Sequence, residues 1–283
     1  MGAGPHARGR IARPVLGDAG EVGTRASPGG VRAGTGYDAS VRTISSGVAN
    51  TLIGLATALV IVAVTLPLFL NPVWVAFEQG RAEATAWTGF TEPELRAATD
   101  AILSDLVLGP PEFDVAVNGS PVLNERERGH MRDVRGVFIG FFAAAAVLAA
   151  AALVIHARRR GTQRAQSWRA VQGGALALIA VLVVGGVVSF VAFDALLETF
   201  HRIFFAGGSY TFDPATERLV QLFPFQFWQE TAIVVGAVCL VLAAIVAAVA
   251  SELATDAGDL VAEHDGEMAD ATTTSVSATG SSR

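Results

Sequence analysis

Four stretches of the chain, residues 51–70, 136–155, 170–193 and 231–250, contain no Asp, Glu, Lys or Arg. A hydrocarbon core about 30 Å thick is crossed by roughly 20 residues of α-helix, so each stretch has the length of one crossing. Backbone groups in lipid must pair within their own segment, which for runs like these means helices. The sequence therefore predicts an all-α membrane protein built on a four-helix transmembrane bundle. Composition agrees, at 52% hydrophobic and only 16% charged residues, against about 25% charged in average globular usage. A net charge of -6, with no basic stripe interleaved with aromatic residues, excludes a nucleic-acid binder. The single cysteine, Cys239, lies inside the fourth stretch. It permits no intramolecular disulfide and no Cys-rich metal site, and is expected to be a packing or lipid-facing residue. No P-loop or metal-ligand motif is present, so no metal and no cofactor are expected.

Arginine placement sets the expected topology, since every basic residue is arginine. Residues 1–45, rich in Gly, Ala and Arg without periodicity, read as a disordered arm. The chain's first apolar run, 51–70, starts too late and is too long for a signal-peptide core. The arm carries Arg8, Arg10, Arg13, Arg25, Arg32 and Arg42. The link between the second and third stretches carries Arg158, Arg159, Arg160, Arg164 and Arg169 with no acid among them. The positive-inside rule makes both cytoplasmic. The arm (1–45), a four-span domain (46–250) and an acidic, disordered tail (251–283) then follow, with both termini cytoplasmic. Residues 71–135 and 194–230 are the outer, extracytoplasmic segments. Trp74, Trp87 and Trp228 are expected at the outer headgroup level and Trp168 at the inner one. Gly173, Gly174, Gly185 and Gly186 are expected to let helices approach closely.

The first outer segment has the marks of a small α/β cap. Thr91-Glu92-Pro93-Glu94 reads as an N-cap with its capping-box Glu and a first-turn Pro, and Gly109-Pro110-Pro111 ends the helix it opens. Asn118-Gly119 is a two-residue hairpin signal. Asn124, with Glu127 three residues on, opens a helix expected to run unbroken into the second span. The second outer segment is too aromatic for a bland linker and reads as an amphipathic loop in the outer interface.

Of five histidines, His6 and His264 fall in the tails and His156 adjoins the cytoplasmic arginines. His130 and His201 instead flank the outer ends of the second and third spans. Asp133 stands at i+3 from His130, on the same helix face, where a carboxylate could fix the imidazole tautomer. Asp194 and Glu198 share a face with His201, and Arg126, Glu127, Arg128 and Arg132 crowd His130. These residues equally suit a salt-bridged, solvated helix start. A superficial haem between the two histidines fits less well.

The run Glu125-Arg126-Glu127-Arg128-Gly129-His130-Met131-Arg132-Asp133-Val134 resembles the "RE..HM.DV" signature of a family of four-span membrane proteins. That family includes the bacterial lipoprotein intramolecular transacylases. A second block, Phe193-Asp194, Phe200-His201, Phe205, Phe212-Asp213-Pro214, Leu222-Phe223-Pro224 and Phe227-Trp228, is similar to the family's later motif. The resemblance spans about residues 46–250 and departs at Tyr210, where Trp is commoner.

The resemblance implies an enzyme that moves the sn-2 acyl chain of a diacylglyceryl-cysteine to its own α-amine, giving an N-acyl, lyso-form lipoprotein. Its partners would be membrane lipids and diacylated lipoproteins. His130 and His201 would be catalytic, one a base toward the amine and the other an oxyanion or leaving-group donor, with His130 assigned as base and the split reversible. Asp133, Arg126, Glu127 and Asp194 would support them. Phe200, Phe205, Tyr210, Phe212, Pro224 and Trp228 would form the interfacial substrate surface. A channel or transporter and a noncatalytic membrane scaffold remain as rival readings. The spans' lack of charged residues counts against a transport pathway.

Overall fold

The computed structural model describes residues 35–280. The chain divides between Val41 and Arg42 into two units. The described part of the first is a few residues of helix, and the architecture below is that of the second. Helix α1 (Thr35–Thr65) ends in a short 3₁₀ turn, Leu66–Leu68. The cap follows as α2 (Pro72–Arg81), α3 (Ala84–Thr88), α4 (Glu92–Val107), β1 (Ala116–Val117) and β2 (Ser120–Pro121). Long helices α5 (Glu125–Arg158) and α6 (Thr162–Phe204) come next, then α7 (Arg218–Leu222) and α8 (Phe225–Gly280). Four helices are long and apolar enough to cross a membrane, within Ser46–Leu68, Glu125–Arg158, Thr162–Phe204 and Phe225–Ala269. This is the expected all-α membrane fold with a small α/β cap.

Helix α5 does not lie in hydrocarbon along its whole length. Residues 125–135 hold Glu125, Arg126, Glu127, Arg128, Arg132, Asp133 and Arg135, so its membrane-crossing part begins at Gly136. Below that point α1, α6 and α8 make the bundle core, packed on Ile61, Ala175, Leu178, Cys239, Ala243 and Ala247. Cys239 is a packing residue there. In α5 the only buried residue beyond the first turns is Ala145. Of the four glycines expected at close crossings, one is at such a crossing: a Cβ on Gly174 would collide with the backbone of Gly54, whereas Gly173, Gly185 and Gly186 have nothing within 4 Å of an added Cβ.

The cap has its own core. Ala98, Ile102, Phe113, Leu123 and Leu222 are all nearly inaccessible, and they pack with Val75, Leu95, Met131 and Leu219. Buried Gln79 donates to Thr99 Oγ1 at 3.0 Å and to the Leu222 carbonyl at 2.9 Å. The sequence's capping box is present at α4, with the Thr91 N–H donating to Glu94 at 2.8 Å. Arg135 donates to the carbonyls of Asp105 and Gly109, pinning the end of α4 to α5. The hairpin turns at Asn118 (φ 52) and Gly119 (φ 77), pairing Val117 with Ser120. Two successive left-handed residues are what a type I′ turn requires.

Two boundaries differ from the sequence reading. Most of the expected arm lies outside the described residues, but from Thr35 the chain is already helical. The tail, expected to be irregular, continues α8 to Gly280. Proline explains both. None occurs between Pro28 and Pro67 or after Pro224, and Ala, Leu and Glu recur through residues 251–271, so nothing stops the helix.

Candidate active site

Helix α5 opens with the capping box expected of Asn124 and Glu127. Asn124 Oδ1 accepts the Glu127 N–H at 3.0 Å, and the Glu127 carboxylate accepts the Asn124 N–H at 2.7 Å. The other Glu127 oxygen accepts the Leu219 N–H at 2.6 Å, tying α5 to α7. Glu127, 1% exposed, is thus committed to holding the scaffold. His130 sits three residues further along, 7% exposed.

His201 arrives on α6, which breaks its regular geometry at Ala192 (φ -148, ψ 53). The kink re-aims the last three turns of the helix. His201 Nδ1 lies 2.8 Å from the Leu197 carbonyl, one turn back. A carbonyl only accepts, so Nδ1 carries the proton and the lone pair of the neutral ring is on Nε2.

These two helix ends bring the imidazoles of His130 and His201 to a centroid separation of 5.9 Å, with ring planes 23° apart. Phe205 stands 4.8 Å from His130 and 5.5 Å from His201, Phe212 5.5 Å from His130, and Tyr210 5.0 Å and Phe200 5.6 Å from His201. The histidines are therefore enclosed by four of the aromatic residues expected to form the substrate surface. Tyr210 donates to Glu198 at 3.0 Å.

Arg126 closes the rim. Its guanidinium lies 4.8 Å over the Phe212 ring, donates to the Thr211 carbonyl at 2.9 Å and meets Glu217 at 2.5 Å. Glu217 also accepts from the Asp213 N–H at 2.7 Å and from Asn124 Nδ2 at 3.3 Å. Burial opposes ionisation of Glu217, but its bonds to Arg126, Asp213 and Asn124 outweigh it and hold the carboxyl below its usual range.

Other expected residues are placed differently. Asp133 is exposed and makes no hydrogen bond to His130, so it acts on that imidazole through charge alone. Asp194 is exposed, two residues beyond the kink and two turns before His201. Pro224 is buried at the entry to α8, and Trp228 packs against Phe223 and Phe227, outside the ring cluster around the histidines. Glu217 and the Leu197 carbonyl are contributions the sequence reading missed. The signal for Glu217 was an acid in an aromatic loop facing a helix start rich in arginine. For Leu197 it was the i−4 position behind a helical histidine.

Against this geometry, the family profile of the lipoprotein intramolecular transacylase Lit matches residues 50–228. The chain belongs to the lipoprotein intramolecular transacylase family. The match contains both histidines and the whole cap. The membrane-integral transacylase Lit from Bacillus cereus, solved in meso, superposes with a TM-score of 0.60 at 15% identity, covering 76% of this chain and 98% of that one. Two variants of the same protein, each with one histidine replaced, by arginine and by alanine, superpose with TM-scores of 0.56 at 14% identity, covering 78% and 77% of this chain and 96% and 98% of theirs. At such identity the likeness is one of fold. No curated protein sequence matches significantly.

For a member of a transacylase family the electrostatics matter. Burial, and then the neighbouring His201 imidazole, push His130 down to about 4, with Asp133 pulling the other way. His130 is consequently neutral at neutral pH. Its Nδ1 is buried and has no hydrogen-bond partner among the described residues. An orphaned buried nitrogen costs about 1–3 kcal/mol.

Proposed function

We propose that the chain catalyses acyl transfer from the sn-2 oxygen of a diacylglyceryl-cysteine to the α-amine of the same residue, on the extracytoplasmic side, with His130 and His201 as the catalytic pair. The observation that carries this reading is the 5.9 Å pair of imidazoles inside an aromatic enclosure at the end of the spans. The rings offer acyl chains an apolar surface, and the histidines offer titratable nitrogens against it.

The tautomer of His201 and the neutrality of His130 favour the reversed split of the two roles. His201 Nε2 holds a lone pair and acts as base. Neutral His130 acts as hydrogen-bond donor to the carbonyl oxygen as it becomes an oxyanion. The neutral amine attacks the ester carbonyl, an N–C bond forms and the C–O bond to glycerol breaks. The surplus proton on nitrogen passes to His201 Nε2 and then to the departing glycerol oxygen. Amine and ester belong to one molecule, so tethering supplies proximity that a bimolecular reaction lacks. The test is mass spectrometry of a lipoprotein N-terminal peptide from membranes with and without the chain. An N-acyl, monoacylglyceryl peptide dependent on the chain supports the reading, and an unchanged diacylglyceryl peptide overturns it.

A further inference from the structure

A cavity of about 350 Å³ opens between α2 and the start of α8. None of its lining residues is one of the two histidines or of the four rings around them. One end is polar, formed by Glu78, Arg81 and Glu230, and the other is apolar, formed by Trp74, Phe77 and Ile233. Trp74 is fixed by an Nε1 bond to Thr231 Oγ1 at 3.3 Å. Glu230 is the last charged residue before the charge-free stretch 231–250. The polar end therefore sits at the membrane border, with Ile233 about a turn deeper, among acyl chains. A cavity with that gradient suits an amphiphile rather than a water-soluble metabolite.

The polar end is short of hydrogen-bond donors. Both Glu230 oxygens are occupied, by Arg81 at 2.6 Å and by Gln226 at 2.8 Å. Glu78 is 1% exposed, yet its Oε1 has no hydrogen-bond partner among the described residues, and Arg81 Nε stands 3.9 Å away. Two carboxyls thus face one guanidinium. Burial, and then the neighbouring Glu230 carboxyl, push the Glu78 carboxyl up to about 7, so an added cation is what would hold it ionised. An added cation with N–H groups relieves both the unpaired oxygen and the charge deficit. A primary ammonium has three such groups, whereas a trimethylammonium has none.

We propose that this cavity binds the primary-ammonium head of a membrane lipid, with Glu78 as the receiving carboxylate and the Phe77 and Ile233 wall taking the upper part of its acyl chain. The ammonium has two possible sources, an aminophospholipid or the free α-amine of a diacylated lipopeptide.

The full-length chain in micelles, loaded with equimolar phosphatidylethanolamine and phosphatidylcholine of identical acyl chains, reports the preference by native mass spectrometry. The expected result is retention of the ethanolamine lipid over the choline lipid by about tenfold, the scale of one charge-assisted hydrogen bond. Glu78→Gln should bring the ratio close to one. Ile233→Trp, which fills the apolar end and leaves the carboxyls alone, should lower retention of both lipids. No preference in the unmodified chain overturns the proposal, as does an undiminished preference in Glu78→Gln. A diacylglyceryl-cysteine peptide and its N-acetylated form, added to the His201→Ala chain, separate the sources. Displacement by the free-amine peptide alone assigns the cavity to the lipoprotein, and displacement by neither assigns it to the phospholipid. Lipid retention is read without acyl transfer, so this proposal and the transacylase reading fail independently.

Discussion

One nitrogen of Arg126 meets both carboxylate oxygens of Glu217 at 2.5 Å. The Arg126 side chain is 48% exposed and that of Glu217 10%, so the pair contributes little to global stability. Its effect is geometric. The same guanidinium lies over Phe212, and Phe212 packs against His130. The ion pair therefore fixes the loop that makes one wall of the site.

Arg126→Ala and Glu217→Gln should each lower the rate of lyso-form production by roughly ten- to a hundredfold, the range expected when reacting groups are misplaced by about 1 Å. The melting temperature should barely move. Arg126→Lys should not restore activity, since an ammonium cannot hold Glu217 and the Thr211 carbonyl with two separate nitrogens while lying flat over Phe212. Full activity in both single variants would remove the loop-fixing role.

His130→Ala and His201→Ala should each abolish formation of the lyso-form peptide, and the double variant should be little worse than either, because paired catalytic groups are lost as a unit. Two mild and additive losses in single-turnover measurements would show that the imidazoles act separately.

Acid should destabilise the cap. His130 has a folded value of about 4 against an ordinary 6.5. Between those values the unfolded chain binds the proton and the folded chain does not, so stability rises with pH across that window. The contribution is fully present above about 6.5 and is lost as pH falls toward 4. Thermal melts at a series of pH values should show a steeper acid decline in the unmodified chain than in His130→Gln. Parallel curves would contradict the buried, neutral imidazole.

Gly174→Val should impair folding or lower the melting temperature strongly, because its side chain would enter the Gly54 backbone, while Gly185→Val should be tolerated. Equal effects at the two positions would mean that α1 and α6 do not cross there.

A reporter fused at Gly119 should be accessible from outside the cell and one at Gly161 should not, as the arginines beside Gly161 require. The opposite pattern would invert the topology and place the histidines in the cytoplasm.

Much of this was legible in the residues because the signals were local. Charge-free length marks spans, Asn124 with Glu127 marks a helix start, and Asn118-Gly119 marks a turn, each through interactions within a few positions. The pairing of His130 with His201 was legible only as compatible topology. The kink at Ala192 that delivers His201 carries no proline or glycine at that position. Sequence pattern therefore does not report it. Asp133 shows the limit of face spacing: it sets a carboxylate near enough to act on His130 by charge, but not whether it hydrogen-bonds the imidazole. Glycine content likewise marked four candidate crossings, and which one a neighbour uses depended on where α1 lies.

Helices α5 and α6 are joined only by residues 159–161, at the far end from the histidines. His130 rides about 28 residues from that joint, a lever of roughly 42 Å at 1.5 Å per residue. A tilt of about 1.5° at the joint then carries the imidazole roughly 1 Å, enough to decide whether two reacting atoms meet. With α5 so sparsely covered along its span, the pair behaves as tweezers whose tips are latched by the cap. The Glu127–Leu219 bond and the Arg126–Glu217 pair are that latch, so the alignment of the two imidazoles is set in the cap rather than along the spans.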